Sequence, residues 1–135
     1  MADLWPDADV GEMVSDGVVL SFEAETAFTK GKCAYLSADM KISQAAAAQN
    51  CIGIFVNSGA IGEQASVCVR GVIKITASGA IARGAAVSGS DADGDPSTLP
   101  EAAALGDVND LIAKKFATAL QTFADNDTGL IYVSK

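Results

Sequence analysis

Residues 51–76 read CIGIFVNSGAIGEQASVCVRGVIKIT, and three short apolar runs stand in this one stretch. They are Cys51-Ile52-Gly53-Ile54-Phe55-Val56, Ala65-Ser66-Val67-Cys68-Val69 and Val72-Ile73-Lys74-Ile75-Thr76. Each is rich in β-branched residues, and the turn at 58–62 and Gly71 punctuate them. Short β-prone runs separated by glycine-bearing turns indicate a meander in a small sandwich or barrel.

The same texture extends outward in both directions. Upstream lie Val18-Val19-Leu20-Ser21-Phe22-Glu23, then Lys32-Cys33-Ala34-Tyr35-Leu36 and Asp39-Met40-Lys41-Ile42-Ser43, all readable as strands bounded by turns. The four alanines at 45–48 favour helix by propensity, but so short a run is marginal alone and reads as a loop. Downstream, Ser88-Gly89-Ser90-Asp91-Ala92-Asp93-Gly94-Asp95, followed by Pro96 and Pro100, has the composition of an exposed loop. Alternating Asp91, Asp93 and Asp95 invite comparison with a calcium loop. The match fails because Pro96 stands where the sixth-place glycine belongs and no glutamate stands at the twelfth. Residues 101–121 are ambiguous: Leu105, Val108, Leu111, Ile112 and Phe116 approximate a helical stripe, while Phe116-Ala117-Thr118-Ala119-Leu120 fits a strand. The turn signal at 125–129 and the run Leu130-Ile131-Tyr132-Val133-Ser134 make the last strand.

An internal echo resolves the ambiguity. Thr29-Lys30-Gly31-Lys32-Cys33-Ala34-Tyr35-Leu36 has a counterpart in Ala82-Arg83-Gly84-Ala85-Ala86-Val87-Ser88. The apolar run at 52–56, the Gly62-Glu63 turn and Val67-Cys68-Val69 are matched by 116–120, the turn at 126–129 and Ile131-Tyr132-Val133. By this alignment 116–120 is a strand. The expected fold is therefore all-β: one small single-domain β-barrel or β-sandwich built from two related β units. If the units faced each other they would close one barrel and bury strand edges that otherwise promote aggregation.

Composition bounds the function. At 135 residues the chain is sized for one hydrophobic core. Nine basic against seventeen acidic residues give a net charge of −8, which repels phosphate backbones and anionic lipid heads, so neither nucleic acid nor membrane is an expected partner. No stretch approaches the ~20 apolar residues of a spanning helix. Residues 1–15 carry Asp3, Asp7, Asp9 and Glu12 with no Lys or Arg, unlike a signal peptide. Cys33, Cys51 and Cys68 fit no closely spaced zinc pattern and read as buried thiols in a reducing compartment. Histidine is absent, which removes Ser-His-Asp and Cys-His catalysis and histidine-ligated metals. No catalytic residue, cofactor or metal is expected, and the chain reads as a non-enzyme.

Residues 1–17 mix Trp5, Pro6, glycine and acids without any sustained period and read as an irregular N-terminal arm preceding the β domain at 18–135. Trp5, the single tryptophan, is suited either to tucking on its own barrel or to anchoring on a neighbour. With Pro6, Val10 and Met13 it forms the set of candidate contacts to a neighbouring subunit or partner.

The chain resembles a family of small bacteriophage proteins, encoded among head genes and often mislabelled as recombinase-like, whose characterised members are capsid decoration or cement proteins. Three stretches carry the likeness: residues 30–42 (KGKCAYLSADMKI), Ile52-Gly53-Ile54-Phe55 with residues 62–71 (GEQASVCVRG), and residues 80–87 (AIARGAAV). The segment at about 88–110 departs from the pattern as a longer, acidic insertion. The resemblance implies a compact barrel assembled as a homotrimer, made in the host cytoplasm and placed on the virion exterior. There it would bind the major capsid protein, through termini and loops, and stabilise the shell. It supplies no catalytic residues. An arm would add area toward the roughly 1,000 Å² that a specific interface needs.

Two other function classes have less support in the residues. A small barrel could grip a ligand or glycan with Trp5, Tyr35 or Tyr132 as a stacking surface. An enzyme would have to pair acids such as Glu63 and Asp91 across a cleft, and no spacing predicts such a pair.

Overall fold

The computed structural model describes residues 8–46, 50–88, 92–99 and 114–134. Their strands are β1 (Val18–Ala24), β2 (Cys33–Ala38), β3 (Lys41–Gln44), β4 (Cys51–Phe55), β5 (Gln64–Thr76), β6 (Ala86–Ser88), β7 (Ser97–Thr98), β8 (Lys115–Ala119) and β9 (Thr128–Ser134). The order across the sheet is β1-β3-β2-β4-β5-β9-β8-β6-β7, and an additional β1–β5 pairing closes the first five strands into a barrel. All pairings are antiparallel except β1–β3, where Glu23 lies beside Lys41 and Ala24 beside Ile42. The all-β expectation holds, and β8 occupies the region that periodicity alone left open. Closure, however, takes place within the first unit, with β6 to β9 added outside it, and not between two facing units.

The internal echo is structural. Leu20 opposite Val67 in the β1–β5 ladder becomes Ile73 opposite Ile131 in the β5–β9 ladder. The bulge between Ala34 and Tyr35 recurs between Val87 and Ser88. Outside the strands, Gly31 N donates to Phe55 O at 2.8 Å as Gly84 N does to Ala119 O at 2.8 Å, and the amide exchange of Phe28 with Gly59 is repeated by Ile81 with Phe123. Gly62 and Asn126 hold the same turn position at φ 86° and 65°, where glycine and asparagine are the residues that fit with least strain. β5 belongs to both units: its first half is the last strand of one, its second half the first strand of the other. The length difference is also located, since 45–50 joins β3 to β4 where 99–114 joins β7 to β8. The acidic stretch before Ser97 is thus the counterpart of the β2–β3 turn.

Two cores flank a shared wall. Phe22, Phe28, Ala34, Ile42, Phe55 and Val67 fill the closed barrel, with Phe28 and Phe55 stacked at 5.0 Å between ring centres. Ile54, Cys68, Ile73, Ile75, Phe116, Phe123, Ile131 and Val133 belong to a second core between the wall and the outer strands. Adjacent residues Ile54 and Phe55, and Val67 and Cys68, face opposite cores. A strand buried on both faces needs apolar side chains at every position, which is why the central stretch reads as continuous apolar runs and not as alternation. Cys33, Cys51 and Cys68 all lie buried in the second core.

Candidate functional site

The described part of the arm is stitched to β5. Gly11 N donates to Lys74 O at 2.7 Å, Lys74 N to Glu12 O at 3.1 Å and Val14 N to Val72 O at 2.9 Å, while Ser15 Oγ accepts from Val72 N at 3.0 Å. Met13 forms an antiparallel bridge with Ile73. Lys74 is only 4% exposed, and its Nζ donates to Ala8 O at 3.0 Å. This lysine lies inside the run that decides the fold, and the strand pattern around it gives no sign of its role. A buried ammonium must find oxygen partners, and the arm's carbonyl is one of them. Glu12 and Lys30 approach to 3.7 Å with half-exposed side chains, an ion pair of small energetic weight.

Of the candidate contacts, Trp5 and Pro6 lie outside the described residues. Val10 sits over Gly31 so closely that a Cβ there would meet Val10 Cγ1 at 2.5 Å. Met13 packs partly buried against the second core, and its Cε lies where a Cβ on Gly17 or Gly71 would come within 2.7 or 2.8 Å. The structure therefore brings Val10 and Met13 onto their own domain and leaves each only partly accessible. Glycines at 17, 31 and 71 are the sequence signal for this close approach, and Gly71 at φ 133° also supplies a backbone angle that side chains resist.

The acidic loop is docked. Asp95 is 9% exposed and accepts from Lys32 Nζ at 2.8 Å, while Gly94 O accepts from Cys33 N at 2.8 Å. The expectation of a solvated loop fails at residues 94–96, all buried, because a lysine from the other unit meets the carboxylate. Asp91 lies outside the described residues. Among the described residues no cluster of three or more metal-ligating side chains occurs.

Elsewhere the surface is apolar in places. Val18, Val19 and Leu20 are 44–45% exposed along β1, and Met40 and Ile61, in turns, are 69% and 71% exposed. A shallow groove is lined by Ser21, Phe22, Glu23, Met40, Gly62 and Gln64. Of the aromatics offered for stacking, Tyr35 packs against the second core and Tyr132 is 39% exposed. Glu63 stands in the turn before β5, where its carbonyl accepts from Ala24 N at 3.0 Å. Burial pushes the Cys68 thiol upward from its ordinary value, outweighing a backbone hydrogen bond at Arg70 that acts the other way.

Compared by sequence, the chain matches no protein-family model and none of the curated proteins. Among solved structures it is similar to the head fiber gp8.5 N base of bacteriophage phi29, with a TM-score of 0.57 and 16% sequence identity over 87% of this chain and 93% of that chain. At that identity the likeness is one of fold, and it covers nearly the whole of the fiber base.

Proposed function

We propose that this chain is a structural protein of a bacteriophage head: a decoration protein that binds the outside of the capsid as a homotrimer and stabilises the shell without catalysis. The observation that carries the reading is the fold shared with a head-fiber base over almost its full length. Supporting it are the family texture of residues 30–42, 62–71 and 80–87 and the lack of histidine. The partner is the major capsid protein. Contact is made by Trp5 and Pro6 with the accessible parts of Val10 and Met13, on an arm whose base is already held in place by β5. Pre-ordering part of a binding segment lowers the entropy lost on association. Many copies on one shell then add avidity to individually modest contacts.

The test is co-sedimentation with undecorated mature capsids. Full-length protein should pellet with the shells at micromolar concentration, and a form lacking residues 1–7 should pellet less while melting normally. Full-length protein left in the supernatant refutes the role, and equal pelleting of the two forms refutes the part given to Trp5 and Pro6.

A further inference from the structure

The two units share one topology but differ at one edge. In the second unit, the outer edge of β5 at Val72, Ile73 and Lys74 is covered by the arm. Their equivalents in the first unit are Val19, Leu20 and Ser21, by the register that matches Leu20 to Ile73. There β3 pairs only with Glu23 and Ala24, and residues 18–22 pair with β5 alone. Ala24 N and O bond toward the β5 side, to Glu63 O and Gly62 N. By the alternation of an antiparallel strand, Phe22 and Leu20 point their backbone groups the same way, and Ser21 and Val19 turn theirs outward. No covering strand is present there among the described residues. Val18, Val19 and Leu20 remain nearly half exposed, and 18–22 contains none of the lysines or prolines that usually guard an open edge.

We infer that β1 of a second copy of this chain covers this edge, antiparallel and across a two-fold axis at Leu20. The edge is complementary to itself. A two-fold at Leu20 sets Val19 opposite Ser21 of the second copy, and these are the residues with outward backbone groups, so the two pairs exchange about four hydrogen bonds. Leu20 then faces Leu20 of the second copy, as Ile73 faces Met13 within the chain. Charge does not oppose the pairing despite the acidic chain. The pairing ends where β3 takes over the edge at Glu23 and Ala24, so residues 18–22, all uncharged, meet only one another. Val18 of the second copy arrives opposite Phe22, beside the groove that Phe22 and Met40 line. The contact is isologous and makes pairs, whatever other assembly each copy joins. A five-residue strand pair is small by the standard of stable interfaces, so association is concentration-dependent.

The test uses purified full-length protein and is independent of capsid binding. Under mild oxidation the Leu20→Cys variant should form a disulfide-linked pair, while the Ile61→Cys variant, at a still more accessible position, should not. The native cysteines are 0% exposed and stay silent. Leu20→Lys places two ammonium groups face to face, and its mass by light scattering at high concentration should be half that of the wild type, with an unchanged melting curve. An unchanged mass for a folded Leu20→Lys together with no crosslinking of Leu20→Cys overturns the inference. A mass reduced to a third would show a head-to-tail ring through this edge and would overturn the two-fold.

Discussion

Replacing Asp95 with alanine removes one half of the ion pair that fixes the acidic loop to the first unit. Fully buried pairs cost about 3–5 kcal/mol when one partner is deleted, and exposed pairs about 0–1. The Asp95–Lys32 contact lies between these limits, since its side chains are 13% and 26% exposed and the heavy atoms meet at 2.8 Å. Lys32 can reach some solvent once abandoned, so the expected loss is about 2 kcal/mol, between the burial limits. For a chain of this size that lowers the melting temperature by about 6–10 °C. Asp95→Asn, which keeps an oxygen acceptor, should lose less. A thermal double-mutant cycle with Lys32→Met isolates the pair, with an expected coupling of about 1–2 kcal/mol. Because the pair is partly desolvated, 0.5 M salt should remove only a fraction of it. If Asp95→Ala melts within a degree of the wild type and the coupling is zero, the loop is solvated and the reasoning fails.

Truncation separates the stitched arm from the residues before it: removing 1–7 should shift melting by less than about 2 °C, whereas removing 1–17 strips the cover from Val72 and Lys74 and should cost about 3–5 kcal/mol, read by calorimetry. At Gly62, φ 86° with open space around the Cα, Gly62→Val should lose about 1–2 kcal/mol by backbone strain alone while Gly62→Asn loses little, as Asn126 at the equivalent turn foretells; denaturant melts decide. A thiol reagent at pH 7.5 should label none of the three cysteines until denaturant is added. Because burial raises the Cys68 thiol in the folded state, stability should be flat from pH 6 to 8 and fall as pH rises past the unfolded thiol's ordinary value of about 8.5, a decline that Cys68→Ala should lessen in melts across pH 6–10.

Much of the fold was legible in local chemistry. Turn glycines and asparagine mark where the chain must reverse, and the strands at 51–76 follow because both of their faces are buried. Aligning 116–120 with 52–56 identified β8 where periodicity was ambiguous, since duplicated units share positions even after their side chains diverge. Three features were not legible. Closure of the barrel depends on the β1–β5 contact, a pairing of residues about fifty apart that no local pattern encodes. Attachment of the arm rests on backbone hydrogen bonds and on Lys74, whose burial contradicts its charge until the carbonyl of Ala8 is seen. The docked loop reads as solvated because its composition is acidic, and only the approach of Lys32 shows otherwise. For the candidate site, the glycines at 17, 31 and 71 are the sequence's indication that Val10 and Met13 pack closely on their own domain.

The second half of β5 has mechanical meaning. On one side it carries the arm, running from Ala8 near Lys74 to Val14 at Val72; on the other it carries β9, ending with Ser134 beside Arg70. Both neighbours are antiparallel to β5, so they leave it at opposite ends. Tension applied between residue 8 and residue 134 therefore acts along the strands, as shear, and loads many backbone hydrogen bonds side by side instead of peeling them one after another. A tether drawn taut through these points would find its strongest resistance along the strand that the two units share.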